Sequence, residues 1–261
     1  MSKDRCFGRN VHIYSANDTG RVLGGLVVMN GMTNSNFYSM VEITFTLDND
    51  YTLCGESGTI VQRDDNPLKP GKYFISTTGS LVINNEPWLV REGKVFLGIP
   101  TKALRDAVRN RDGGCVITGQ RSLNPGKRRW GGYSATHILP PEHAKHLVGP
   151  GYDSSETPTR KSIYSVQNGL LLRRDMRRLF ERYLVSINPD DNYKIVCFMG
   201  DDVDISGKHL DKTFLKLEGP QRPGDRFLRW HFRQAVLANM RGQGEPIFEC
   251  YPSDSDTDEE L

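Results

Sequence analysis

The chain has 261 residues, 37% of them apolar, with a formal net charge of +2. That length holds one large domain or two small ones, and that apolar content builds the ordinary core of a soluble globular protein. No run of about 18 apolar residues is present, which excludes a membrane-spanning helix, and the near-neutral total does not by itself indicate a nucleic-acid partner.

Met1-Ser-Lys-Asp-Arg5 has no apolar segment behind it to act as a secretory signal, so the expected location is intracellular, cytoplasmic or nuclear. Lys127-Arg128-Arg129 is too short for a nuclear localisation run and ends against Trp130. Five scattered cysteines, Cys6, Cys54, Cys115, Cys197 and Cys250, argue against a disulfide framework and predict buried reduced thiols.

The first hundred residues predict a β-rich module. Val11 to Tyr14 and Leu23 to Met29 are rich in strand formers, and Val41, Ile43, Phe45 and Leu47 alternate as a strand does. Phe37 to Met40 is open to a second reading, the start of a short helix. Tyr73 to Ile75 and Leu81 to Ile83 are further strands, bounded by Gly, Asn and Pro, and the module ends near Pro100. Thr101 then caps a helix with an apolar stripe of Ala103, Leu104, Ala107 and Val108, stopped by Gly113-Gly114.

From Cys115 to Phe180 the pattern predicts a short strand at Cys115, a turn, a second strand ending on His137, a connection, and Asn168 entering a helix. Residues 149–160, rich in Gly, Pro, Ser and Thr, form the loop between the two halves. Beyond the helix, Leu184 to Ile187 and Tyr193 to Phe198 flank Asn188-Pro-Asp-Asp-Asn192, a hairpin turn. A last helix spans about Asp225 to Met240, and the Ser/Asp/Glu-rich end past Tyr251 lacks the apolar residues to order itself. The domain plan is therefore a β-rich module over 1–100, a core with its extension over 101–250, and an acidic tail over 251–261.

Charge is unevenly spread. Lys102, Arg105, Arg109, Arg111, Arg121, Lys127, Arg128 and Arg129 precede His137, and Arg173, Arg174, Arg177, Arg178 and Arg182 follow Asn168, while Asp254, Asp256, Asp258, Glu259 and Glu260 mask them in the total. Arg173, Arg174 and Arg178 are candidates to grip phosphates, or a solvated helix face paired with Asp175 and Glu181. His143 and His146 are spaced to face one way in a helix and read as a surface pair.

Ala135-Thr-His-Ile-Leu-Pro140, Asn168-Gly-Leu-Leu-Leu-Arg-Arg and Asp175-Met-Arg-Arg-Leu-Phe180 resemble, in that order, the HNH nucleases of the ββα-metal group. Arg105 to Arg111, Ser186 to Asp190 and Leu228 to Leu237 resemble the flanks of a fungal branch of these proteins. The resemblance implies an α+β fold, a ββα-metal core behind the β-rich module. It makes His137 the general base, Asn168 the residue that braces the loop, and a divalent ion (Mg²⁺, Mn²⁺, Ni²⁺ or Zn²⁺) the cofactor. It also implies hydrolysis of nucleic-acid phosphodiesters.

Two positions depart from the family pattern. Thr136 stands where many HNH enzymes carry a histidine or aspartate ligand, and Arg177 stands where the helix ligand is expected. A guanidinium repels a metal ion and cannot ligate one. Asp175 alone offers an oxygen, and Cys115 followed by Thr118 removes the paired cysteines of a structural zinc knuckle. The alternative reading is a metal-free HNH fold, reassigned to acid-base chemistry on a small molecule through His137 and Arg177, as in specialised metabolism, or to binding without catalysis. Whether the chain is an enzyme stays open at this level, as does homo-oligomerisation.

Overall fold

The computed structural model describes residues 5–89, 101–122, 130–143, 160–200, 203–210 and 219–242. It is a mixed α+β structure of small sheets and helices. In the N-terminal part β1 (Val11–Ser15) lies between β2 (Gly24–Leu26), antiparallel, and β5 (Gly71–Thr77), parallel; β4 (Tyr51–Gly55) completes the order β2-β1-β5-β4. The parallel pair needs a crossover, and the chain makes it through α1 (Asn34–Thr44). A two-stranded sheet of β3 (Phe45–Leu47) and β6 (Leu81–Ile83) follows.

The strand expected from Val41 to Leu47 is corrected. Residues through Thr44 are helical, because Thr33 and Asn36 form a reciprocal capping box and Phe37, Met40, Val41 and Thr44 fall on one buried face at helical spacing. Only Phe45 to Leu47 is strand.

α2 (Lys102–Asp112) runs as the sequence predicts. Thr101 accepts a hydrogen bond from the Leu104 amide, and Gly113 closes the helix in the left-handed conformation at φ 62°. The strand expected at Cys115 is instead a turn, linked by an isolated bridge between Gly114 and Arg121. The paired strands are β7 (Tyr133–His137) and β8 (Gly169–Arg173), antiparallel with His137 opposite Gly169. α3 (Arg160–Ile163) precedes β8, and α4 (Arg174–Glu181) leaves it directly. β9 (Val185–Asn188) and β10 (Lys194–Cys197) form the predicted hairpin.

α5 (Asp225–Met240) is buried on nearly every side. Phe232, Ala235, Val236, Ala238 and Met240 join the core that holds Val11, Phe37, Leu53 and Ile75, while Phe227, Leu228 and Trp230 join the core that holds Leu170, Met176, Phe180 and Ile187. The charged residues of α5, Asp225, Arg226, Arg229 and Arg233, are confined to one narrow side, and the rest of the helix lies between both cores. Polar bonds reinforce the union: Asn36 Nδ2 donates to Asp191 Oδ2 at 2.6 Å, the Leu89 amide to Gln234 Oε1 at 2.7 Å, and Arg233 Nε to Glu86 Oε2 at 2.7 Å. Cys115 and Cys197 are the buried thiols expected, whereas Cys6 is exposed and Cys54 half-buried. Among the described residues no helix is long and apolar enough to cross a membrane. Of the loop expected over 149–160, residues 149–159 lie outside the described residues and Arg160 begins α3, and Lys127 to Arg129, His146, Cys250 and the acidic tail also lie outside them.

One contact between the two halves leaves no room for a side chain. Gly31 and Gly207 both have positive φ, 76° and 79°, and a Cβ on Gly31 would sit 2.3 Å from the Gly207 Cα. Gly31→Ala therefore imposes both backbone strain and a clash, and is expected to lower stability by about 1–3 kcal/mol. An unchanged thermal midpoint would show that this approach does not join the halves.

Candidate functional site

The β7–β8 hairpin is covered on both faces. Ala135 and Leu171 turn one face to Leu104 and Val108 of α2. Gly169 makes that approach possible, since a Cβ there would come within 2.6 Å of Val108 Cγ2. Alternation puts Ser134 and Thr136 on the other face, where both bond to α4.

Asn168 ends a short 3₁₀ turn and enters β8 rather than the expected helix. It is wholly buried. Its Oδ1 accepts the Leu139 amide at 2.8 Å, and its Nδ2 donates to the Leu139 and Ile163 carbonyls, both at 2.8 Å. Both amide hydrogens are engaged in this way, so the 3.5 Å approach of Nδ2 to His137 Nδ1 is a contact and not a third hydrogen bond. The side chain thereby pins the segment that follows His137. His137 itself is 2% exposed at the end of β7, with the half-exposed Tyr164 ring set edge-on at 6.3 Å between centroids.

Arg177 belongs to a second cluster. Its Nε donates to Glu181 Oε1 at 2.9 Å, and its Nη1 to Ser134 Oγ at 2.7 Å. The hydroxyl of Thr136, itself buried, donates to the same Glu181 oxygen at 2.8 Å. The structure thus joins His137 with Asn168 and Tyr164, and Arg177 with Glu181, Thr136 and Ser134. The two clusters meet along the chain at Thr136-His137.

The remaining candidates are dispersed. Asp175 lies on the outer side of α4, where Arg173 grips it with two nitrogens, Nε at 3.0 Å, and holds its carboxyl below the usual carboxylate range. Arg173 also bonds Gln120 Oε1 at 2.9 Å. Arg174 and Arg178 are exposed on the same side, opposite the buried Met176 and Phe180. His143 stands with its ring 6.3 Å from that of Trp230.

The basic stretch before His137 is partly structural. Arg111, 1% exposed in its side chain, forks onto Asp112 and donates to the Val166 and Gly169 carbonyls at 2.7 and 2.6 Å, on either side of Asn168. Asp112 in turn accepts the Leu171 amide at 2.8 Å. Arg109 lies over the Trp130 ring, and Arg121 bonds the Asp112 carbonyl.

Glu181 had a sequence signal, lying four residues after Arg177 where helical side chains meet. Ser134 had a weaker one, two residues before Thr136 on a strand. Nothing in the pattern marks Tyr164 or the Arg111–Asp112 pair.

The donor set around Arg177 does not fit a divalent ion. Its single carboxylate carries a guanidinium, its hydroxyl is engaged, and a fixed cation stands where a helix ligand would be. Asp175 faces elsewhere, and among the described residues no group of three or more His, Cys, Asp or Glu is placed to share a metal.

Asn168→Asp tests the clamp. It keeps the shape but withdraws both donated hydrogen bonds and sets a carboxylate against two buried carbonyls. The expected cost is roughly 2–4 kcal/mol, read as a lower urea midpoint. A midpoint equal to wild type would remove the clamp from the account.

No curated protein and no solved structure matches the chain. Residues 8–82 match the model of a domain of unknown function. Residues 115–188, the segment that carries His137, Asn168 and Arg177, match the HNH endonuclease model, whose members generally use a divalent metal.

Proposed function

We propose that the protein is an HNH-endonuclease-like hydrolase of nucleic-acid phosphodiesters, with His137 as general base. The observation that carries this reading is the Asn168 clamp, which fixes the residues following His137 through three bonds of 2.8 Å in a segment matching the HNH endonuclease model. In this reading the neutral imidazole of His137 takes a proton from water as the water oxygen bonds to phosphorus. The bond from phosphorus to the leaving sugar oxygen breaks, and that oxygen takes its proton from solvent. The exposed Arg174 and Arg178 hold neighbouring phosphates, while Arg173 is engaged with Asp175 and Gln120. No step is routed through a metal, because the residues beside Thr136 do not suit one.

A second reading draws support from the near-complete burial of His137. A histidine so enclosed suits a small substrate better than a duplex. Under that reading His137 carries out acid-base chemistry on a small molecule, with Arg177 held in the neighbouring cluster by Glu181 and Ser134, or the site binds without turnover.

Plasmid cleavage by wild type and His137→Ala, with and without added Mn²⁺, separates the two. Nicking that falls by two orders of magnitude or more in His137→Ala is expected of a general base, whose contribution is about 10²–10⁴-fold. Wild-type protein that leaves the plasmid intact under every condition overturns the nuclease reading and favours the second.

A further inference from the structure

The disagreement between the HNH segment and the residues around Arg177 carries an inference of its own. An Arg and a Glu four apart on a helix are commonly a solvated pair of little consequence. Here the pair is about three-quarters buried, and β7 completes it. Ser134 accepts from the guanidinium, while Thr136, 3% exposed, has its hydroxyl turned onto the carboxylate. Three hydrogen bonds from two elements thus converge where the resemblance puts the metal ligands, at Thr136 and at Arg177.

We propose that the Arg177 guanidinium, held by Glu181 and Ser134, is the resident cation of this centre, and that it keeps closed a metal site to which Glu181 and Thr136 would contribute oxygens. The inference rests on the HNH reading of residues 115–188, but not on cleavage of any substrate. Charge and shape support it. A guanidinium is a single permanent charge that bonds in a plane through its hydrogens, whereas a divalent ion needs several oxygen or nitrogen lone pairs around it. With Arg177 in place, Glu181 Oε1 already receives two donors, and an arriving ion would meet a positive charge within the same shell. Replacing the arginine with histidine frees that oxygen, removes the charge and adds an imidazole on the helix face that looks toward Thr136.

The closed site has a consequence for the neighbouring chemistry. The Arg177–Glu181 pair is neutral overall, so this cluster supplies little net attraction for phosphate. A polyanion is then drawn by the outer arginines, Arg174 and Arg178.

The test is Mn²⁺ binding to the whole purified protein, followed by calorimetry and by the electron-spin signal of unbound Mn²⁺, with no substrate present. Wild type and Arg177→Lys, which keeps a cation, are expected to bind no Mn²⁺ saturably and to melt at the same temperature in chelator and in Mn²⁺. Arg177→His is expected to bind one ion on the order of a hundredfold or more tighter than wild type, and to lose it again in Arg177→His with Glu181→Gln. Wild-type protein that binds one Mn²⁺ and loses it in Glu181→Gln overturns the proposal. So does a folded Arg177→His that binds no metal. If Arg177→His fails to fold, the wild-type melts still decide, because an ion bound to the native state raises the midpoint with concentration. A protein that cuts no plasmid leaves this experiment intact, so failure of the nuclease reading and failure of the closed-site reading are distinguishable.

Discussion

A buried primary amide must satisfy two donors and an acceptor, and Asn168 does so with backbone alone. Its partners are two groups of Leu139 and the carbonyl of Ile163. Those atoms belong to the segment after β7 and to α3, so the amide cannot be satisfied unless both converge on the start of β8. The turn that brings Asn168 there is itself held, since Arg111 donates to the carbonyls of Val166 and Gly169 while its charge is matched by Asp112. Taking one partner from such a buried pair leaves an uncompensated charge, at a cost of about 3–5 kcal/mol. The position of His137 therefore depends on a chain of buried polar groups reaching from the end of α2 to the hairpin.

Behind the hairpin the constraint is apolar. α5 is too buried to serve one core, and its two ends complete different ones. His231 connects it to α4: its Nε2 lies 2.9 Å from the Phe180 carbonyl, its Nδ1 2.8 Å from Ser186 Oγ, and its ring is stacked on Phe180. The helix that presents Arg177 and Glu181 is thus seated on α5, which is seated in turn on the N-terminal sheet. The match of residues 8–82 to a domain of unknown function marks a segment whose core is shared with the rest of the chain, through Tyr183, Val196, Phe198 and Phe232.

Elements with their own local signals were legible in the sequence. Thr101 and Gly113-Gly114 bound α2 through capping chemistry that needs no tertiary contact, and the turn of Asn188 to Asn192 and the periodicity of α5 were equally self-contained. The errors arose where two periods coexist. Residues 41 to 47 alternate, yet Phe37, Met40, Val41 and Thr44 also fit a helix, and Thr33 decides between them with an Asn at the third position rather than the usual Glu or Gln. β4 was not anticipated, although Tyr51, Thr52 and Leu53 alternate after the turn residues Asp48 to Asp50, and its pairing with β5 defines it. At the site, short motifs singled out His137, Asn168 and Arg177, but some of the partners that give them their setting are distant along the chain, Leu139 lying 29 residues from Asn168 and Ser134 lying 43 from Arg177. Arg111 shows the limit from the other side: as a letter it adds to a basic stretch, while in the fold it is internal and neutralised.

The two faces of β7 explain why the Arg177–Glu181 pair is stable where it stands. The face toward α2 is apolar and needs only close packing, which Gly169 allows. The face toward α4 carries two hydroxyls, one of them on the buried Thr136, and a buried hydroxyl without a partner costs free energy. A metal ion would answer part of that need by accepting the oxygens' lone pairs. An arginine and a glutamate one helical turn apart answer it with one donor for Ser134 and one acceptor for Thr136, while balancing each other's charge. The polar pattern of the strand and the spacing of charges on the helix are thus complementary at several levels at once, as expected of a locally consistent native sequence.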